Sequence, residues 1–108
     1  MPRFHVEITE RAALELVDSA TWWSDNRSPE QAELWYNEIS RAINGLAEMP
    51  RRCPLVYGHD FGREVRVLLF GVGSRATHRI FFAIDGERVV VLRVRHTAQA
   101  DLTDPEVL

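Results

Sequence analysis

The sequence contains no lysine, and all 13 of its basic residues are arginine. Its acidic residues number 16, so the formal net charge is −3 at pH 7. Proteins that bind nucleic acid without specificity usually carry a basic surplus, which this chain lacks. Arginine is the better forked ligand for phosphate and carboxylate, but genome base composition explains the missing lysine more simply. The composition therefore argues against a general nucleic-acid binder.

Cysteine and long apolar runs are also scarce. Cys53 is the only cysteine, which excludes an intrachain disulfide and suits a reducing compartment. Beside Pro54, it is more typical of a small core residue than of a nucleophile. No stretch reaches about 18 uninterrupted apolar residues, and the opening residues lack the apolar core of a signal peptide. We therefore expect a soluble, cytoplasmic protein without a membrane segment.

Signatures of metal and cofactor sites are missing from the sequence. The histidines are scattered, at positions 5, 59, 78 and 96, and no pair has helical i, i+4 spacing. Neither the dinucleotide-binding glycine pattern nor the P-loop occurs, and Gly71-Val-Gly73 is more simply a turn. A chain of 108 residues, 45% of them hydrophobic, can bury one core. We expect a single domain over residues 1–108, with no metal and no cofactor.

The first half of the chain predicts one strand and two helices. Residues 3–8 alternate, which is typical of a half-buried strand with Phe4, Val6 and Ile8 on its inner side. Thr9 is a suitable N-cap for an amphipathic helix ending near Asp25. Its expected apolar stripe comprises Ala13, Leu16 or Val17, Ala20 and Trp23, with Glu10, Arg11, Glu15 and Asp18 towards solvent.

The second helix begins after a short link, because Ser28 can cap it, Pro29 suits its first position and Gln31 can complete a capping box. Pro50 forbids continuation beyond Met49. The shared apolar face comprises Ala32, Trp35, Ile39, Ala42 or Ile43, and Leu46. Two long helices joined so closely must fold back on each other as a hairpin.

The second half predicts three antiparallel strands, over residues 64–70, 78–84 and 88–95, the last two joined by the hairpin signal Asp85-Gly86. Strict alternation would place Arg79, Phe81 and Ala83 on one face with Val90, Leu92, Val94 and His96. The order β-α-α-β-β-β predicts an α+β domain, in which the helical hairpin packs on one face of a small, mostly antiparallel sheet.

Positive charge is concentrated in this second half. Residues 63–96 hold seven arginines against three acids, a net of +4, whereas residues 1–54 have a net charge of −3. Arg66 and Arg79 lie in the middle of strands, where an unpaired charge would be costly to bury. Each must therefore meet water, an acid or a phosphate. Pairing of Arg66 with Glu64, Glu87 or a helical acid at the sheet edge is the simpler alternative.

The order of these motifs is similar to that of a known family. Its elements are Phe4 to Thr9, Met49-Pro50 with Pro54, Gly62 to Arg66, Gly71, His78-Arg79-Ile80, Val89 to His96, and Asp101-Leu102. Over residues 3–102 the chain resembles the RelE/ParE superfamily, the toxins of type II toxin-antitoxin systems. The resemblance implies growth arrest, relieved by a cognate antitoxin protein.

Members that resemble RelE cut messenger RNA on the ribosome, which requires an acid, a base and cations around a phosphate. By resemblance, Arg66 and Arg79 would stabilise the phosphate and His96 would act as acid or base. The chain departs from this branch in lacking lysine, in its acidic balance, and in having Thr97 near where several active nucleases carry tyrosine.

Members that resemble ParE bind DNA gyrase and do not cut RNA themselves. A long helical hairpin and an incomplete catalytic set favour this branch, although the arginine that often follows the last-strand histidine is replaced by Gln99 and Ala100. A third alternative is a non-toxic protein that only binds antitoxin. All three imply an antitoxin partner and are compatible with a toxin-antitoxin hetero-oligomer. The first two also imply a target, which is the ribosome with its messenger RNA or DNA gyrase.

Partner-binding residues are expected among the sheet arginines and the tryptophans. We predict that an acidic antitoxin segment contacts Arg66, Arg79 or Arg93, and Arg95 belongs to the same candidate surface for antitoxin or target. Trp23 and Trp35 lie on the apolar stripes and are expected in the core. Trp22 lies off the stripe and is the expected exposed anchor for a partner or for self-association.

Overall fold

A computed structural model of the chain describes residues 3–56, 63–71 and 75–97. The predictions that involve His59, Gly62, Gly73 and residues 98–102 lie outside these ranges. The elements follow the predicted order: β1 (His5–Ile8), α1 (Glu10–Asn26), α2 (Pro29–Asn44), β2 (Arg66–Phe70), β3 (His78–Asp85) and β4 (Arg88–His96). Single turns of 3-10 helix follow α2, at Gly45–Ala47 and Pro50–Arg52. The α+β architecture is confirmed.

Both helices begin where the sequence predicts. The hydroxyl of Thr9 accepts a hydrogen bond from the amide of Ala12 at 3.2 Å, and that of Ser28 accepts one from Gln31 at 3.1 Å. These bonds satisfy amides that the first turn of a helix leaves unpaired. The α1 stripe is rotated from the prediction, however, since Ala12 and Leu16 are buried whereas Val17 is 53% exposed.

The sheet has the order β1-β4-β3-β2. β2 and β4 each pair antiparallel with β3, and the first strand of the chain lies parallel to the last. The helices cover one face, where the main core forms. Its large buried members are Leu16, Trp35, Ile39, Ile43, Leu46, Phe70, Ile80, Phe82, Val89, Val91 and Val94. A second cluster occupies the other face and comprises Val65, Val67, Phe81, Ala83 and Leu92.

A β-bulge in β4 overturns part of the predicted face pattern. Phe82 pairs with Val91 but its neighbour Phe81 pairs with Arg93, so Leu92 is the extra residue. One inserted residue reverses the alternation beyond it. Val94 therefore joins the core beneath the helices, and His96 pairs with His78 rather than sharing a face with Arg79. The prediction assumed uninterrupted alternation and was wrong at this point.

Glu15 provides a hydrogen-bond acceptor for β4 beyond the point where β1 stops pairing with that strand. β1 pairs with β4 only as far as Val91, and beyond it the amide of Val94 donates to the Glu15 carboxylate at 2.9 Å. The same carboxylate receives Nε of Arg93 at 3.0 Å and Nη2 at 2.9 Å. Arg93 is only 4% exposed. Glu15 was expected towards solvent, but it neutralises this buried cation and fastens α1 to β4.

In the described part of the chain, neither helix is both long enough and apolar enough to cross a lipid bilayer.

Removal of the Glu15 carboxylate should destabilise the fold strongly. Glu15→Ala leaves the buried guanidinium of Arg93 without this counter-charge and the Val94 amide without its acceptor, so we expect a loss of about 3 kcal/mol in the free energy of unfolding. Glu15→Gln keeps an acceptor oxygen and should lose less. Urea denaturation measures both, with the exposed helical acid in Glu33→Ala as the control. Equal losses in Glu15→Ala and Glu33→Ala would contradict this role.

Candidate partner-binding site

Two histidines meet at the ends of β3 and β4. His78 and His96 are paired in register, and their ring centroids lie 5.2 Å apart with the planes at 75°. His78 is 4% exposed, with the Trp35 ring centroid at 5.1 Å and the hydroxyl of Thr77 at 2.8 Å from its Nδ1. His96 is exposed. The bulge brings these rings together, because uninterrupted alternation of β4 would have placed them on opposite faces of the sheet.

The buried member of this pair is neutral at physiological pH. Burial, assisted by the neighbouring His96, lowers the pKa of His78 from its ordinary 6.5 to about 4. Desolvation acts this way because it penalises the charged imidazolium. At pH 7 this end of the sheet therefore presents His78 as an uncharged ring that the Thr77 hydroxyl contacts.

The two histidines form one wall of a groove of about 510 Å³. The other wall is the second half of α1, where residues spaced by four lie on one side of the helix. The described residues that line this α1/β4 groove are Asp18, Ser19, Trp22, Trp23, Thr77, His78 and His96. The rings of Trp22 and Trp23 are 5.5 Å apart at 90°. The groove is thus mainly aromatic, with one carboxylate.

The tryptophans lie where the sequence predicts. Trp35 is in the core and Trp23 packs partly against it, whereas Trp22 is 52% exposed. Cys53 is buried, and this burial raises the pKa of its thiol above the ordinary value. The cysteine is accordingly a protonated core residue, as expected.

The guanidinium of Arg66 is hydrogen-bonded to the backbone of the same chain. Its Nη1 donates to the backbone carbonyl oxygen of Cys53 at 2.7 Å and to that of Arg51 at 3.2 Å. Neither Glu64 nor Glu87, the acids expected from the sequence, provides these contacts. Arg66 therefore holds the connection after α2 against the edge strand β2.

Arg79 and Arg95 lie together on the face away from the helices. They are paired in register across β3 and β4. Their chain neighbours Ile80 and Val94 belong to the core beneath the helices, and successive residues of a strand point to opposite faces. The Cζ atom of Arg79 lies 5.6 Å from the centroid of the Phe81 ring. Both side chains are partly buried. They form a paired basic feature, here called the β3/β4 arginine pair.

The catalytic set implied by RelE-like members is not brought together. Arg66 is paired with Phe82 on the helix-covered face, whereas Arg79 is on the opposite face. His96 lies on the same face as Arg66 but at a distance from it. His96 is paired with His78 and Arg66 with Phe82, and these two β3 residues are roughly 13 Å apart along the strand. Arg93, a predicted partner-binding residue, is instead buried in its pair with Glu15. A partner could reach Arg93 only by disturbing that pair.

A second cleft, of about 620 Å³, has the opposite charge character and was missed by sequence reasoning. Its described lining residues are Arg3, Phe4, Glu48, Met49, Pro50, Arg51 and Arg52. Arg51 lies over the Phe4 ring, with Cζ 5.5 Å from the centroid. The cleft joins the start of the chain to the turn after α2, so no local pattern indicates it. Among residues 3–56, 63–71 and 75–97, no cluster of three metal-ligating side chains occurs.

Comparison with known proteins supplies the family. The model of the ParE toxin of the type II toxin-antitoxin system parDE matches residues 6–101. Among solved structures, the chain is similar to one from the chromosomal ParDE TA system from P. aeruginosa, with a TM-score of 0.72 and 19% sequence identity. That alignment covers 89% of this chain and 98% of the other. No curated protein matches the sequence.

Stability should fall in mild acid because of His78. Above pH 6.5 its imidazole is neutral in both the folded and the unfolded chain. Between pH 6.5 and 4 only the unfolded chain takes up the proton, so His78 lowers the free energy of unfolding as pH falls, by about 3 kcal/mol in total. Urea denaturation of His78→Gln should show a shallower loss over this range. The exposed His5→Gln is the control, and identical pH slopes in the wild type and His78→Gln would refute the assignment.

Proposed function

Because the chain belongs to the ParE toxin family of type II toxin-antitoxin systems, we propose that it arrests growth by inhibiting DNA gyrase and that a cognate antitoxin neutralises it in the cytoplasm. The match to the family model over residues 6–101 is the observation that carries this proposal. It includes both helices and all four strands almost in full.

The placement of the arginines favours gyrase inhibition over RNA cleavage. A nuclease needs its acid, base and cations around a single phosphate. Here Arg66 donates to backbone carbonyls, and Arg79 lies on the other face of the sheet. A protein that acts by binding gyrase does not need these groups to converge.

The histidine pair is the one feature that favours the alternative, a ribosome-dependent endoribonuclease. A neutral His78 beside His96 could exchange protons with a ribose hydroxyl and a leaving group. However, the described residues of the α1/β4 groove include Asp18 and no arginine. A carboxylate without a neighbouring cation would repel the phosphate that such chemistry must bind. We therefore rank cleavage second.

We propose that the antitoxin binds at the β3/β4 arginine pair. Of the three arginines predicted to contact an acidic antitoxin segment, Arg93 is only 4% exposed, whereas Arg66 and Arg79 are each partly exposed. Arg79 is paired in register with Arg95, which is also partly exposed, on the face away from the helices. An extended acidic segment on this face would meet two guanidinium groups at once.

Expression of the chain alone in a bacterial host tests the target. We expect early SOS induction while amino-acid incorporation continues, and the purified chain should stabilise gyrase cleavage complexes, which release linear DNA when the enzyme is denatured with detergent. Co-expression of a cognate antitoxin should restore growth. Early translation arrest with cleaved messenger RNA would instead establish the nuclease, and unchanged growth would indicate a non-toxic antitoxin-binding protein.

Substitution of the arginine pair should weaken antitoxin binding. Arg79→Ala and Arg95→Ala each remove a charged hydrogen-bond donor, so we expect roughly tenfold lower affinity for each. Calorimetric titration of the purified toxin with its antitoxin measures this. Arg41→Ala, which removes an exposed α2 arginine paired with Glu38, should leave affinity unchanged. Wild-type affinity in both sheet variants would move the antitoxin interface elsewhere.

A further inference from the structure

The α1/β4 groove combines aromatic walls with a carboxylate and no arginine among its described lining residues. We propose that this groove binds the guanidinium of an arginine side chain presented by a partner protein. This surface is distinct from the β3/β4 arginine pair, and the inference stands whether or not gyrase is the target.

The tryptophan rings provide the first part of the argument. Trp22 and Trp23 stand at 90° to each other with centroids 5.5 Å apart, and both line the groove. The face of an indole attracts a cation more strongly than other aromatic side chains do, and a planar guanidinium can stack on one ring while its edge meets another. Since Trp22 is half exposed, a side chain from outside can reach it.

Charge provides the second part. Asp18 precedes Trp22 by four residues, so its carboxylate lies one helical turn away on the same side of α1. The last turn of α1 carries no basic residue, although the residue that caps its C-terminal end is Arg27. The second cleft, in contrast, is lined by Arg3, Arg51 and Arg52. The charge around the α1/β4 groove thus complements a guanidinium.

The surface beside the groove indicates a protein rather than a free small cation. Leu14 is 57% exposed and precedes Asp18 by four residues, so Leu14, Asp18 and Trp22 follow one side of α1. Val17, also exposed, adjoins this row. Exposed apolar side chains next to an aromatic pocket are typical of a surface that a partner covers. Arginine is among the residues that most often anchor such interfaces.

Peptide titration of the isotope-labelled, purified chain tests the proposal. The probe is acetyl-Leu-Arg-Leu-amide, and its matched control carries citrulline, which replaces the guanidinium by a neutral urea of the same shape. We expect the arginine peptide to shift the indole N–H resonances of Trp22 and Trp23 and the amides of residues 18–23. The citrulline peptide should bind roughly tenfold more weakly.

Variants locate the binding. Asp18→Asn and Trp22→Ala should each reduce affinity for the arginine peptide about fivefold or more. Glu33→Gln, which removes an exposed acid on α2, should not change it. Both groove variants alter solvent-accessible side chains, so a native amide spectrum will verify that they fold.

Three outcomes would overturn the proposal. Equal binding of the citrulline peptide would show a merely apolar groove, and absence of shifts up to the solubility limit of the peptide would show no site. Equal affinity for arginine amide alone would indicate a small-molecule cation site and exclude the protein partner. None of these results depends on gyrase or antitoxin, so failure here leaves the proposed function standing, and failure of gyrase inhibition leaves the groove standing.

Discussion

The carboxylate of Glu15 is the contact on which the arrangement of helix and sheet depends. β1 provides hydrogen bonds to β4 only as far as Val91, and just beyond that point Glu15 accepts from the amide of Val94 while it neutralises Arg93. A helical side chain thus takes over from a strand as the neighbour of β4. This fixes α1 beside the last strand, so that the next helical turns, with Asp18 and Trp22, face the end of that strand.

The bulge at Leu92 acts together with this contact. It turns Val94 into the core beneath the helices and places His96 opposite His78. Without the extra residue, His96 would point to the other face and the α1/β4 groove would lose one of the two histidines that form its sheet wall. The same irregularity places Arg95 opposite Arg79 on the face away from the helices, while Arg93 pairs with Glu15 at the sheet edge. One inserted residue therefore decides which side chains can act together.

The features that sequence reasoning predicted are those determined by neighbours along the chain. The caps at Thr9 and Ser28 and the Asp85-Gly86 turn involve residues within one turn of each other, and Gly86 has the positive φ of 61° that such a hairpin needs. The parallel pairing of β1 with β4 and the capture of Arg66 by the Cys53 carbonyl join distant segments. Composition and alternation carry no information on which acid or carbonyl an arginine will find, so neither the Glu15 pair nor the groove could be derived in advance.

The parallel pairing of β1 with β4 also constrains the order in which parts of the chain can fold during synthesis. His5 is the register partner of Arg88, and its amide donates to the carbonyl oxygen of Glu87 at 2.8 Å, yet the ribosome makes both helices and two strands between the two segments. The helical hairpin can form early from local contacts, but β1 stays without its strand partner until β4 has left the exit tunnel. We therefore expect β1 to join the sheet after the helical hairpin has formed, and any surface that includes β4 is completed only after that strand has been made. A nascent chain cannot present the groove or the arginine pair before then.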